Sequence, residues 1–170
     1  MEQRSQPFLI CLGLLFLSAC GQFSTPYSTL IPESAAVRAV AVPGKNLASW
    51  RHNVVSTAQS LLGTPYRFGG VDPSGLDCSG LVYFSFASAG KTVPRTVEDL
   101  FSTSQAVQNT HLLPGDLVFF RISGQHIDHV GIYVGQGQFI HAPKTGKQVL
   151  TTTLDAPYWR NRFIRGGRLT

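Results

Sequence analysis

The chain has 170 residues, enough for one modest domain and too few for two well-packed ones. Hydrophobic content of 43% against 14% charged residues excludes wholesale disorder. A net charge of +5 favours an anionic partner, and on charge alone nucleic acid, a membrane surface and an acidic cell-wall polymer all stay open. No lysine- or arginine-rich run concentrates that charge. The loose basic cluster from Arg160 to Arg168, beside Trp159 and Phe163, reads as a final strand or tail with solvated charges, and no nucleic-acid partner is expected.

Residues 1–19 read as an export signal. Arg4 precedes a short apolar run at 8–16, and small residues follow at Ser18 and Ala19. The stretch is too short to span a bilayer, which takes about 20 apolar residues. The ending Leu17-Ser18-Ala19-Cys20 resembles the lipobox of bacterial lipoproteins. That resemblance implies cleavage before Cys20, acylation of Cys20, and loss of Cys11 with the signal. Several acyl chains anchor durably where one is marginal. Gly21 after the cysteine, where the resemblance would put an aspartate for inner-membrane retention, points to the periplasmic face of the outer membrane. Residues 20–46 are rich in Ser, Thr, Pro, Ala and Val without a sustained period, and read as a lipidated, flexible tether. The globular domain is expected over 47–170.

Within that domain, apolar residues at Leu47, Val54, Val55, Ala58, Leu61 and Leu62 predict a helix over 47–62, stopped by Gly63. A turn-rich stretch over 64–77 follows, long for a compact domain and therefore a candidate functional loop. Residues 78–89 predict an apolar helix capped by Asp77 and ended by Gly90. A short helix is expected at 96–104. After Pro114-Gly115 the pattern turns to β, with strands predicted at 117–122, 129–134 and 138–141 and two more at 149–153 and 163–169. Helices first and strands afterwards predict an α+β domain with a mainly antiparallel sheet.

The three cysteines, at 11, 20 and 78, form no CxxC pair, so neither a disulfide framework nor a zinc ribbon is expected. Cys78 stands where the loop meets the first turn of a helix. Free N–H groups and the helix dipole there favour an anion, and such placement can bring a thiol pKa down to roughly 3.5–7.5. A thiol nucleophile needs a base held by a third polar group. His129 opens one predicted strand and His141 closes the next, so a hairpin across Gly135-Gln136-Gly137 would set both imidazoles at one sheet edge. His126 is a rival base in a polar turn, while His52 and His111 read as surface residues, and Asp116 as a turn-former. A zinc site on Cys78, His129 and His141 stays open on spacing alone, because catalytic zinc accepts three protein ligands.

The segments Gly63-Thr64-Pro65-Tyr66-Arg67-Phe68-Gly69-Gly70, Gly75-Leu76-Asp77-Cys78-Ser79-Gly80-Leu81-Val82, Pro114-Gly115-Asp116-Leu117, His129-Val130-Gly131-Ile132-Tyr133 and Phe139-Ile140-His141-Ala142 resemble the NlpC-type family of papain-like cell-wall peptidases. The similarity covers about residues 50–168, with the motifs in the family's order. It implies a circularly permuted papain-like fold and a peptidoglycan (murein) endopeptidase with Cys78 as nucleophile, His129 as base and His141 as the orienting residue. It further implies that Tyr66 supports substrate or oxyanion and that Asp77 and Ser79 shape the pocket. Stem peptides containing diaminopimelate are the implied substrate, cut at the D-alanyl–diaminopimelate crosslink or at the γ-D-glutamyl–diaminopimelate bond, with no cofactor or metal. Pro94-Arg95-Thr96 is followed by Val97-Glu98-Asp99-Leu100, without the glutamine the family often carries, which bears on substrate detail. Glu98 and Asp99 read as helix-surface charges. A silent binding lipoprotein of the same fold and an acyltransferase using the same thiol are the other readings to be weighed.

Overall fold

The structure, a computed structural model, describes residues 48–170. The expected signal peptide at 1–19, the acylation site Cys20 and the tether at 20–46 lie outside the described residues. Among the described residues no helix is long and apolar enough to cross a membrane.

Two helices come first. α1 (Ser49–Ser60) buries Val54 and Ala58 on one face. α2 (Cys78–Ser88) is capped by the Asp77 carboxylate, which accepts from the Gly80 N–H at 2.6 Å. It ends where Gly90 takes a positive φ of 73° and Lys91 N–H returns to the Phe86 carbonyl at 2.9 Å. Between them the turn-rich stretch folds back as a small hairpin of β1 (Val71–Asp72) and β2 (Gly75–Leu76). A short helix α3 (Val97–Thr103) is capped by Thr96, whose hydroxyl accepts from Asp99 N–H at 3.1 Å and donates to the Asp99 carboxylate at 2.7 Å.

The remaining strands build one antiparallel sheet: β3 (Gln105–Val107), β4 (Leu117–Phe120), β5 (His129–Gly135), β6 (Gln138–His141), β7 (Leu150–Thr153) and β8 (Phe163–Arg168), in spatial order β3-β8-β4-β5-β6-β7. The predicted α+β architecture, helices first and packed on a mainly antiparallel sheet, is what the chain adopts. The central strand β4 is buried along its whole length because both sheet faces are covered. On one side Leu117, Phe119, Val130, Ile132 and Ile140 meet Val54, Ala58, Leu81, Val82 and Phe86 of the helices. On the other, Val118, Phe120 and Phe139 form a smaller apolar cluster under Trp159 and Phe163. Trp159 belongs to a one-turn helix, α4 (Pro157–Arg160), which the sequence analysis did not predict.

Two expectations need correcting. Arg165 and Arg168 of β8 are not solvated tail charges: the Arg165 guanidinium lies 3.8 Å from the Phe101 ring centre, and Arg168 pairs with Asp116. Asp116 does more than shape a turn. Fully buried, it accepts from Leu113 N–H, from Arg51 of α1 at 2.8 Å and from Arg168 of β8 at 2.6 Å, tying helix, turn and sheet together.

Candidate active site

The loop before α2 and the first turn of the helix are held by one charged cluster. Asp77 Oδ2 accepts from Gly69 N–H at 2.9 Å and from Arg95 at 2.6 Å, while Arg95 also donates to the Ser79 hydroxyl at 2.7 Å. Asp77 and Ser79 are therefore brought together, as their neighbourhood to Cys78 predicts. Arg95 is the partner that the sequence analysis left without a role. Tyr66 is tied by its N–H to the Lys147 carbonyl at 2.8 Å and is bridged to Leu76. Burial raises its phenol pKa, with further contributions from Cys78 and Asp77, so the hydroxyl remains a proton donor near the thiol.

Cys78 is half-buried and opens α2. Hydrogen bonding from the backbone N–H of Val130, of Ser79 and of Cys78 itself favours its anion. Desolvation and then the Asp77 carboxylate work against it more strongly, and the thiol is pushed up to about 11. At this position burial outweighs the helix terminus.

His129 and His141 meet as the hairpin predicted, with a difference in register. The two-residue turn Gln136-Gly137, both at positive φ, joins β5 to β6. Ile132 pairs with Ile140 and Tyr133 with Phe139, so the two histidines are diagonal neighbours on one sheet face, reaching across Gly131. Their contact is direct, His129 Nε2 to His141 Nδ1 at 2.9 Å. Gly131 makes the crossing possible: a Cβ there would stand 2.6 Å from Phe139 Cδ2 and 3.3 Å from His141 Cβ. Gly131→Ala is expected to cost about 1–3 kcal/mol in stability through overpacking. It should also lower kcat at least tenfold by displacing His141; denaturation midpoints and steady-state rates check both, and wild-type values for both would contradict the role.

An aromatic box encloses the pair. Trp159 stacks on His129 at 5.6 Å and 27° and meets His141 edge-on at 4.6 Å, with Phe120 and Phe139 closing the floor. Nothing local in the sequence signals Trp159, because the contact is made only when α4 folds over the sheet. His129 is 3% exposed and His141 1%. Desolvation lowers both, His129 to about 4 and His141 to about 3, the latter helped by repulsion from His129. The unfolded chain therefore takes up these protons first, near the ordinary imidazole pKa of about 6.5. Stability is accordingly expected to fall as pH drops from about 6.5 towards 4, and His129→Gln should flatten that slope in melting experiments. An unchanged slope would contradict the assignment.

With Nε2 engaged by His141, Nδ1 is the His129 ring nitrogen left to take a proton. For Nδ1 to accept one, Nε2–H must donate to His141 Nδ1, which puts the single ring proton of neutral His141 on Nε2. That nitrogen is buried without a partner among the described residues. Among the described residues no three His, Cys, Asp or Glu side chains converge to hold a metal ion; the two imidazoles bind each other with the nitrogens a shared metal would need. His52, His111 and His126 are exposed and belong to no part of this arrangement.

Beside the histidines opens a cavity of about 620 Å³, walled by Ile122, Leu150, Tyr158 and Trp159 and flanked by Lys144 and Lys147. A shallower one beside Tyr66 and Pro65 shares Lys147 and Leu150 with it.

The NlpC/P60 family profile matches residues 63–168. The Escherichia coli (strain K12) protein named Murein DD-endopeptidase MepH is 42% identical over 113 residues, covering 64% of this chain and 42% of its own length. Probable endopeptidase NlpC of the same organism is 35% identical over 167 residues, covering 95% of this chain and 97% of its own. Among solved structures, an NlpC/P60 family protein from Bacillus cereus ATCC 10987 superposes with a TM-score of 0.65 at 31% identity, over 69% of this chain and 39% of that one. The chain thus spans less than half the length of MepH and of the Bacillus cereus chain.

Proposed function

The chain belongs to the NlpC/P60 family, and on that premise we propose that it is a cysteine endopeptidase hydrolysing amide bonds in peptidoglycan stem peptides. Cys78 is the nucleophile, His129 the base and His141 the residue that orients it; Tyr66, Asp77 and Ser79 line the substrate side. The observation that carries this reading is the buried His129–His141 contact at 2.9 Å on β5 and β6, with α2, which Cys78 opens, packed against β5.

Before attack the proton rests on sulfur and His129 is neutral. The Cys78 thiol gives its proton to His129 as Sγ attacks the carbonyl carbon; once moved, the imidazolium and the anionic centre stabilise each other. The α2 N-terminus and the Tyr66 hydroxyl supply donors for the oxyanion. His129 then passes its proton to the leaving nitrogen, the C–N bond breaks, and water attacks the thioester to release the acid and restore the thiol.

The bond proposed is the D-alanyl–diaminopimelate crosslink, with γ-D-glutamyl–diaminopimelate as the alternative. Incubation with a crosslinked stem dimer and with a single stem, read by mass spectrometry, decides: monomers from the dimer support the first, shortened stems the second. An intact protein that cuts neither would favour the silent binding reading. The peptidase domain is taken as 47–170, carried at the periplasmic face of the outer membrane by lipid on Cys20 after removal of 1–19. Membrane fractionation tests that placement; Cys20→Ala should move the protein to the soluble fraction, and retention at the membrane would count against it.

A further inference from the structure

We infer that the cavity beside the histidines receives the amine-side residue of the scissile amide, and selects one carrying a free carboxylate next to the departing nitrogen. The inference rests on the peptidase reading and adds the recognition chemistry to it. The side of the site is set by the proton: the leaving nitrogen must take it from His129, and His129 and His141 line this cavity.

The charge is set by a turn. Lys147 N–H donates to the Lys144 carbonyl at 3.1 Å across Thr145 and Gly146, with Gly146 at φ 78°. This closes a four-residue turn that presents both lysines to one cavity. The turn is itself pinned to the substrate loop, since Tyr66 N–H donates to Lys147 O and Val149 N–H to Thr64 O, each at 2.8 Å. Among the described residues Asp128 is the only carboxylate in the cavity wall, and its two oxygens are taken by the N–H groups of Ile122 and Ser123 at 2.7 Å each. Both histidines are neutral near pH 7, so two lysines face one occupied aspartate and the lining is net positive. Ile122, Leu150, Tyr158 and Trp159 supply an apolar wall for the methylene chain of such a residue.

The chemistry separates the two candidate bonds. In the D-alanyl–diaminopimelate crosslink, the departing nitrogen sits on a carbon that also bears a free carboxylate. In the γ-D-glutamyl–diaminopimelate bond the corresponding carboxyl is amide-linked wherever the stem continues. A carboxylate-selecting cavity on the amine side therefore favours the crosslink.

The test uses the full chain and two crosslinked peptides that differ only in whether this carboxylate is free or a carboxamide. Wild-type protein is expected to show about a tenfold lower KM for the free acid, an advantage that shrinks as salt screens exposed charges. Lys144→Gln/Lys147→Gln should bring the KM for the free acid up to that for the carboxamide peptide, so that the advantage is lost. The charge-keeping Lys144→Arg/Lys147→Arg should retain it, and Lys91→Gln, beside Trp50 outside this cavity, should behave as wild type. Equal KM values in the wild type, or an undiminished preference in the glutamine pair, would overturn the inference and leave the peptidase reading standing. No turnover of either peptide by the wild type would overturn both.

Discussion

Cys78→Ala is expected to lower kcat/KM on a stem peptide by about 10⁴-fold or more, the scale on which loss of a covalent nucleophile acts. No other group in the site can replace the sulfur. His129 and His141 face each other through ring nitrogens, Tyr66 holds its proton more firmly than a free phenol, and Asp77 is saturated by Gly69, Gly80 and Arg95. Cys78→Ser should be nearly as inactive, because a hydroxyl yields its proton far less readily than a thiol and His129, held near 4 by burial, is a weak base for it. Both variants should melt within about 2 °C of the wild type, since the side chain is only half-buried at a helix start. Activity within tenfold of wild type in the alanine variant would sink the nucleophile assignment.

Asp116→Ala is expected to be the most damaging single change to the fold, at about 3–5 kcal/mol. The carboxylate is fully buried, and its removal leaves the Arg51 guanidinium, 8% exposed, without its charge partner. Arg168 keeps only the His111 carbonyl at 3.1 Å. Burial alone would raise the Asp116 pKa; hydrogen bonds from Arg168, Leu113 N–H and Arg51 outweigh it and hold the carboxyl below its ordinary range. Its stabilising contribution is therefore present above about pH 4 and is lost as pH falls through the lowered value. A fall of about 10–20 °C in Tm is expected. Calorimetry at pH 7 checks it, and a loss below about 1 kcal/mol would contradict the clamp.

How much of this was legible in the sequence follows from which interactions are local. The cap at Asp77, the stop at Gly90 and the helix at 97–103 are decided within a few residues, and each was found to within two. β5 and β6 declared themselves as β-rich runs flanking a glycine-containing turn, and that turn brought His129 and His141 to one place. The diagonal register was not readable, because it depends on which side chains fit over Gly131. β3 has three residues, two of them exposed, too few for any period to register. α4 has four, fixed by Trp159 packing against Phe120, Phe139 and both histidines. Arg95 and Trp159 were invisible for the same reason: their partners lie far away in the chain. The helix terminus at Cys78 is visible in sequence, and the depth of burial that works against the thiolate is not.

In the proposed reaction one thiol, Cys78, does the covalent work without a metal. Titrating the active protein with a small thiol-alkylating reagent, while following stem-peptide hydrolysis and mapping the adduct by peptide mass spectrometry, checks this. Activity is expected to fall in proportion to modification of Cys78, reaching zero at one adduct there, and a chelator alone is expected to change nothing. Full activity with Cys78 completely alkylated, or loss of activity to the chelator alone, would contradict it.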